Sequence, residues 1–494
     1  MTKVCTAGLA VLFCIFATIG YTQTVTLSDP SGTPVLDGPV LHGDDHVIEI
    51  DSKYGPVAVN TQALRCQGDC PQKDMQKNDI RIAGEPWVIK NLIALQIEAY
   101  SARQGISYTT DGTLYRLDTT PETTIELRAV TSEQAIQSLI KGDIDIALTL
   151  RPTTKKEAAL LQPKIFGAVK SPLRSLILAL DALVPVVSLT NPVTHVSDVN
   201  LLELLDSKIT NWKDLGGPDQ NVDLLPIDPG LNALLPAYGL VTGINPAPLT
   251  TYDISEGMFG VMPLSRSYQS QVLTLLGPCG YGPALHRRSV KTEDYPLSLP
   301  IIAYLAPRPL PPIAKDVLEF IQSPSGHLVT QRAGFFDPSV EEISLDVQGA
   351  RLASAIQNIN KGADLETVQK MAALMSRTSR LSTTFRFDTG ATELDTVSRA
   401  HLQTLVSDLQ SGRYMGRKLY LVGFSDGAGP ASINLELSKK RADVVLKSLR
   451  ARIPEAGRDR HSLATVGFGE ALPIDCDDQI IGREVNRRVE VWIE

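Results

Sequence analysis

From Asp79 onward the sequence alternates between two hydrophobic periods, and this alternation restricts the chain to architectures built of strand–helix units. Ile80-Arg81-Ile82-Ala83-Gly84 is an apolar run of strand type, after which Ile89, Leu92, Ile93, Ile97 and Tyr100 recur at helical spacing. Ile125-Glu126-Leu127-Arg128-Ala129 reads as a second strand, Ala135, Ile136 and Leu139 as a helix face, and Gly142–Leu148 as a third strand. The long apolar stretch Leu176–Val187 predicts buried, crossing strands. Repeated units of this kind predict a mainly parallel sheet, with ligand sites beyond the carboxyl ends of its strands.

The flanks read differently. Residues 24–75 predict a small β unit: Val25 and Leu27, Val35, Val47–Ile50 and Val57–Val59 are short strand runs separated by Gly, Asp and Pro turns. His42-Gly43-Asp44-Asp45-His46 reads as a hairpin turn rather than a metal cluster. Residues 341–380 predict a helical connector, whose apolar face (Leu352, Ala355, Ile356, Leu365, Val368, Met371, Ala372, Met375) also suits an interdomain packing surface. A final α/β unit is predicted over 381–494. A chain of 494 residues exceeds one hydrophobic core.

The first residues have the layout of a secretory signal: Met1-Thr2-Lys3, an apolar run from Val4 to about Tyr21, then polar sequence. Segment 1–23 is therefore expected to direct export and be removed, leaving a periplasmic protein associated with the cell wall or outer membrane. Cys5 and Cys14 would leave with it, whereas Cys66 and Cys70 are close enough for a local disulfide; the pairing of Cys279 and Cys476 stays open. A net charge of −8 argues against nucleic acid as the main partner. Nothing in the sequence supplies a cofactor or a catalytic metal.

Chemistry is most legible in 418–450. Lys418–Val422 predicts a strand, Gly423-Phe424-Ser425-Asp426-Gly427-Ala428-Gly429-Pro430 a loop, and the following residues a helix on which Asn434 and Arg441 share a face two turns apart. Asp426 and Arg441 offer an anion and a cation at one junction. That suits a zwitterion, with the carboxylate taking an ammonium and the guanidinium a carboxylate; a plain salt bridge is the alternative. Gly423-Phe424-Ser425-Asp426-Gly427 also matches a nucleophile elbow, so a serine hydrolase using Ser425 and His461 is a second alternative, although Gly427, Gly429 and Pro430 delay the helix such an elbow needs.

Two family resemblances follow from ordered motifs. Phe385-Arg386-Phe387-Asp388, Gly423–Gly427, Asn434-Leu435-Glu436-Leu437-Ser438-Lys439-Lys440-Arg441-Ala442, Gly467-Phe468-Gly469-Glu470 and Asn486-Arg487-Arg488-Val489-Glu490-Val491 resemble the OmpA-like peptidoglycan-binding domain. The resemblance implies binding of the diaminopimelate part of the peptidoglycan stem peptide. Asp426 and Arg441 match its binding pair, and Asp388, Asn434 and Arg488 match positions lining the same pocket; Arg483 and Arg487 are assigned to loop bracing or surface charge. Residues 79–340 resemble the periplasmic phosphate-binding family, of two-lobed type II solute-binding fold. The matching segments are Gly142–Ala147 with Arg151-Pro152, Lys208-Ile209-Thr210-Asn211-Trp212-Lys213-Asp214-Leu215-Gly216-Gly217 and Phe320–Gly326. The resemblance places a solute near Glu85, Thr149, Arg151, Asp228 and Asn232. Glu85-Pro86 and Asp228 stand where that family carries hydroxyl and amide donors, and a carboxylate disfavours an anion in a low-dielectric cleft. Phosphate, a cationic or zwitterionic solute, and loss of binding all stay open. The expected fold class is multidomain α/β: small N-terminal β unit, two-lobed type II periplasmic binding fold, and C-terminal OmpA-like α/β sandwich. The expected role is non-enzymatic: wall binding by a protein that carries a solute-binding domain. The alternative is a solute receptor for an ABC transporter, tethered to the wall.

Overall fold

The computed structural model describes residues 24–29, 32, 34–43, 47–52, 55–60, 64–68, 79–120, 122–161, 175–240, 242, 244, 246–247, 254–276, 284–306, 310–357, 364–387, 394–453, 461–477 and 480–494. The expected signal segment, Asp44–His46, Cys70, Cys279 and Asp388 lie outside them. The described residues fall into two compact units, one up to Gly68 and one from Asp79 onward.

The first unit is an antiparallel sheet of β1 (Thr24–Ser28), β2 (Pro34–Gly43), β3 (Val47–Ser52), β4 (Gly55–Asn60) and β5 (Arg65–Gly68), in the order β4-β3-β2-β1-β5. The β2–β3 pairing, with Gly43 opposite Ile48, makes the expected hairpin. Val25 and Leu27 point to one face, as strand periodicity requires, and with Ile50 form a small core that Leu36, Val40 and Val59 border. A core this small gains from a covalent tie, and Cys66 on β5 is disulfide-bonded.

The second unit opens with β6 (Ile80–Gly84), α1 (Pro86–Val88) and α2 (Ala94–Gln104), joined by a π-helical turn over Ile89–Ile93. There follow β7 (Tyr108–Thr110), β8 (Leu114–Leu117), β9 (Thr123–Ala129), α3 (Ser132–Lys141), β10 (Ile146–Thr149), α4 (Lys155–Leu161) and the long β11 (Ser175–Val187). Next come β12 (His195–Ser197), α5 (Asp198–Leu205), β13 (Asp223–Leu224), α6 (Pro229–Leu234), β14 (Met258–Pro263), β15 (Gln271–Val272), β16 (Thr274–Leu276), α7 (Arg287–Lys291) and β17 (Ser298–Leu305). Helices α8 (Pro312–Gln322) and α9 (Pro324–Arg332) close this part.

The main sheet has ten strands, in the order β13-β14-β11-β17-β10-β6-β9-β8-β7 with β15 on β11. It is mixed rather than mainly parallel, which corrects the sequence expectation. β10, β6 and β9 run parallel, but β10–β17, β17–β11 and β11–β14 are antiparallel. Leu176–Val187 is a single strand: Ser175–Ala182 pairs with β17 and Leu183–Val187 with β14, so one strand crosses from the first lobe to the second.

The C-terminal sheet is β18 (Glu342–Ile343), β19 (Ser379–Arg386), β22 (Arg488–Ile493), β20 (Lys418–Gly423) and β21 (Ser462–Gly467), in the order β18-β19-β22-β20-β21. One face packs α12 (Thr396–Gln410) and α13 (Ala431–Arg452) through Leu402, Leu405, Val445, Leu449, Val489 and Val491. The other packs α10 (Gly349–Gln357) and α11 (Leu365–Met375), where Ala355, Val368, Met371 and Met375 meet Tyr420, Val422, Phe424 and Trp492. Residues 341–380 are therefore not a separate connector. They supply an edge strand and a helical layer of the C-terminal sandwich; of their apolar stripe, Leu352, Ala355, Val368, Met371 and Met375 pack on its sheet, whereas Ile356 and Leu365 are exposed.

Central and C-terminal parts share a buried ionic seam. Arg380 forks onto Asp294 at 2.5 and 2.9 Å, and its Nε lies 3.3 Å from Glu490. Glu490 also receives Arg351 and, at 2.7 Å, Arg488. Arg386 binds the carboxylate of Glu293 at 3.1 Å, and Glu293 holds left-handed backbone (φ 57°), strain placed at the seam. Val397 and Ala400 of α12 belong to the central hydrophobic core.

Candidate functional site

The junction after β20 is built on glycine. A Cβ on Gly423 would overlap the carbonyl oxygen of Ser438, and one on Gly467 would crowd Lys439 N. Only glycine lets α13 lie this close to β20 and β21. Ser438 Oγ then accepts from Gly469 N at 3.0 Å, and Ser425 N donates to Gly469 O at 2.9 Å, fixing the two loops side by side. Gly423→Ala is expected to lower the unfolding free energy by about 1–3 kcal/mol through overpacking. Urea unfolding measures it, and a loss under about 0.5 kcal/mol would mean the helix backs away freely.

α13 turns Asn434, Ser438 and Arg441 inward. Asp426 is buried at the loop, and its Oδ2 accepts from Arg487 Nη1 at 2.9 Å. The guanidinium of Arg441 lies over the Phe387 ring, 5.4 Å from its centroid. Burial, then the charge of Arg487, pushes the Arg441 guanidinium down to about 10, against the pull of Asp426. Asp426, Arg441 and Arg487 thus form one electrostatic group, within which Arg487 hydrogen-bonds Asp426 directly. Asn434 is buried beside them with its Nδ2 unmatched among the described residues.

Arg488 is not part of this group. Its Nε binds Glu490, its Nη2 donates to Leu472 O at 2.9 Å, and it stacks on Phe424 at 4.4 Å. The reason is register: on β22, Arg488, Glu490 and Trp492 face the α10–α11 layer, while Arg487 precedes the strand and swings to the loop end. Asn486 braces the neighbouring loop, accepting from Ile474 N at 2.7 Å and donating to Asp475 O at 2.6 Å, and Arg483 donates to Asp477 O at 2.7 Å. Cys476 in that loop is disulfide-bonded. Two further acids crowd Gly427: Asp477, which accepts its N–H at 2.7 Å, and Glu470, whose carboxyl burial and Asp477 push up.

The geometry does not bring Ser425 and His461 together. Ser425 lies past the carboxyl end of β20, whereas His461 precedes β21, which runs parallel to β20 with Lys418 opposite Ser462. The two side chains stand at opposite ends of strands about 20 Å long. Ser425 is buried and α13 begins only at Ala431.

In the two-lobed part, Glu85 follows β6 directly and does not cap its own helix. Its Oε1 instead accepts from Ser132 N at 2.7 Å and Ser132 Oγ at 3.1 Å, at the N-terminus of α3 in the first lobe. Asp228 caps α6 in the second lobe, accepting from Gly230 N at 3.2 Å. Burial, opposed by the Ser132 hydrogen bonds and reinforced by Asp228, pushes the Glu85 carboxyl up to about 7. Thr149 Oγ1 donates to Arg151 O at 2.8 Å, and Arg151 is engaged by Glu157 in a bidentate pair at 2.8 and 2.9 Å. Asn232 Oδ1 is buried without a partner among the described residues. Trp87 stacks on Phe335 and Trp212 donates to Gly257 O, so both are core.

Fold and sites together define a two-lobed α/β domain joined to an α/β sandwich. Residues 71–225 match the model of the PBP superfamily domain, and residues 386–487 match that of the OmpA family. The chain carries both domains. It is 39% identical over 71 residues to the peptidoglycan-binding protein ArfA of Mycobacterium tuberculosis (14% of this chain, 21% of that one). It is 28% identical over 94 residues to the phosphate-binding protein PstS of Borreliella burgdorferi (19% of this chain, 30% of that one). An ABC-type phosphate transport receptor from Vibrio cholerae superposes with a TM-score of 0.41 at 21% identity, covering 52% of this chain and all of that one. The chain spans between about a fifth and a third of the length of the curated relatives it matches.

Proposed function

We propose that this is an exported cell-envelope protein that holds peptidoglycan non-covalently through its C-terminal domain. The observation that carries the reading is the buried group of Asp426, Arg441 and Arg487 at the open end of β20. In this reading Asp426 receives the ammonium of a diaminopimelate stem peptide and Arg441 its carboxylate, with Asn434 and Asp388 lining the pocket. Arg487 positions Asp426. The OmpA family match and the name of the ArfA relative support it. Segment 1–23 would direct export to the periplasm, where the wall, and the outer membrane beyond it, are within reach. Among the described residues no helix is long and apolar enough to cross a membrane.

Purified protein is expected to co-sediment with peptidoglycan sacculi, and Asp426→Asn or Arg441→Ala to reduce the pelleted fraction to that of a sacculus-free control. Undiminished pelleting by both variants, with their folds intact by thermal unfolding, would refute the assignment. A second reading makes the two-lobed domain a receptor for phosphate or another small solute, delivering it to an ABC transporter. The PBP superfamily match and the PstS relative favour it, and titration with inorganic phosphate tests it.

A further inference from the structure

We propose that Glu85 is the cleft's own occupant: its carboxyl group fills the seat between the lobes and holds them closed without a solute. Three observations, independent of wall binding, carry this. First, Glu85 is displaced from the role its position invites. A residue just before a helix can cap it, but the Glu85 side chain makes no capping bond to α1. Its side chain crosses to α3, a helix of ten residues, and takes both the backbone and the hydroxyl donor of Ser132. Ser132 Oγ also accepts from Leu150 N at 3.2 Å, so the hydroxyl both donates and accepts within the first lobe.

Second, the far side of the same carboxyl group is pressed on the second lobe. A Cβ on Gly230 would overlap Glu85 Oε2, so this side chain fills the space up to the backbone of α6. Glu85 is 2% exposed. Third, the lobes touch again nearby: Tyr238 of the second lobe donates its hydroxyl to Leu150 O of the first at 3.0 Å. The two lobes thus meet at Glu85 and again at Tyr238. An amide N–H at a helix N-terminus attracts an oxyanion, and a carboxyl oxygen satisfies it in the same way. A free oxyanion entering this seat would have to displace Glu85 and lie against Asp228.

The test uses the full mature chain and inorganic phosphate as probe. Millimolar phosphate is expected to move the thermal midpoint of the natural protein by less than about 1 °C, because a ligand stabilises only what it binds. In Glu85→Ala the Ser132 amide is expected to exchange its hydrogen at least about tenfold faster than in the natural protein, because its acceptor is gone and the lobes part. Glu85→Gln, which keeps the shape and an acceptor oxygen, is expected to retain slow exchange. Phosphate-dependent stabilisation of the natural protein overturns the proposal. So does unchanged Ser132 exchange in Glu85→Ala. Should that variant fail to fold, the phosphate titration of the natural protein still decides.

Discussion

Arg380→Ala is expected to cost about 3–5 kcal/mol of unfolding free energy, the range for removing one partner from a buried ion pair. Arg380 is almost wholly buried, and its guanidinium is divided between Asp294 of the central part and Glu490 of β22. Burial alone would raise both carboxyl groups; Arg380 outweighs it at Asp294, and Arg351, Arg380 and Arg488 outweigh it at Glu490, holding both below the usual carboxylate range. Deleting Arg380 leaves Asp294 without its bidentate partner in a largely buried site. Arg380→Lys is expected to recover only part of the loss, since one ammonium cannot repeat the fork. Urea unfolding of Arg380→Ala, Asp294→Ala and the double variant gives the coupling directly. If the double variant loses the sum of the two single losses, the pair is not coupled and the seam owes its strength to the apolar contacts of α12 instead.

The seam also shows where sequence reading stops. Arg380 and Glu490 lie far apart in the chain, and neither sits in a motif that announces a partner. The helical face of 352–375 was legible as apolar, but its destination was not, because β18 is two residues long and carries no periodic signal. Direction in the central sheet was hidden for a related reason. β11 and β17 are buried along their lengths, and a continuous apolar run reports burial on both faces without telling parallel from antiparallel. The strand–loop–helix junction at 418–450 was legible because it depends on local features: a strand, a glycine-rich loop and two inward polar residues on one helix face. Choosing between Arg487 and Arg488 was harder. Adjacent residues at the start of a strand go to opposite sides, so a one-residue uncertainty in where β22 begins exchanges their roles. The acid at position 85 was legible as a departure from an anion site, while its contact with Ser132 required the fold.

Glu85 also gives the stability of this part a definite pH dependence. An unperturbed Glu titrates near 4.5, whereas burial raises Glu85 to about 7 despite the two Ser132 hydrogen bonds, with Asp228 adding to the rise. Burial likewise raises Asp181 to about 7 and Asp475 to about 6. For an acid whose folded pKa is raised, the folded state keeps its proton after the unfolded state has released it. Such a group contributes stability that is complete below the unfolded pKa and is lost as pH climbs to the folded value. For Glu85 the window runs from about pH 4.5 to about pH 7, and the loss across it is about 3 kcal/mol. Asp337 and Glu490 act in the opposite sense: against burial, the hydrogen bonds of Ser339 and Gln331 and then Lys291 hold Asp337 down, and the arginines hold Glu490 down, so their contribution disappears as pH falls below the ordinary carboxylate range. The thermal midpoint is therefore expected to peak near about pH 5 and to fall toward pH 8. Glu85→Gln removes one titrating group while keeping its volume, so its midpoint is expected to decline less steeply over the same interval. Parallel curves for Glu85→Gln and the natural protein between pH 5 and pH 8 would mean that Glu85 is already ionised in the cleft at pH 5, with its charge balanced by Ser132 and the N-terminus of α3.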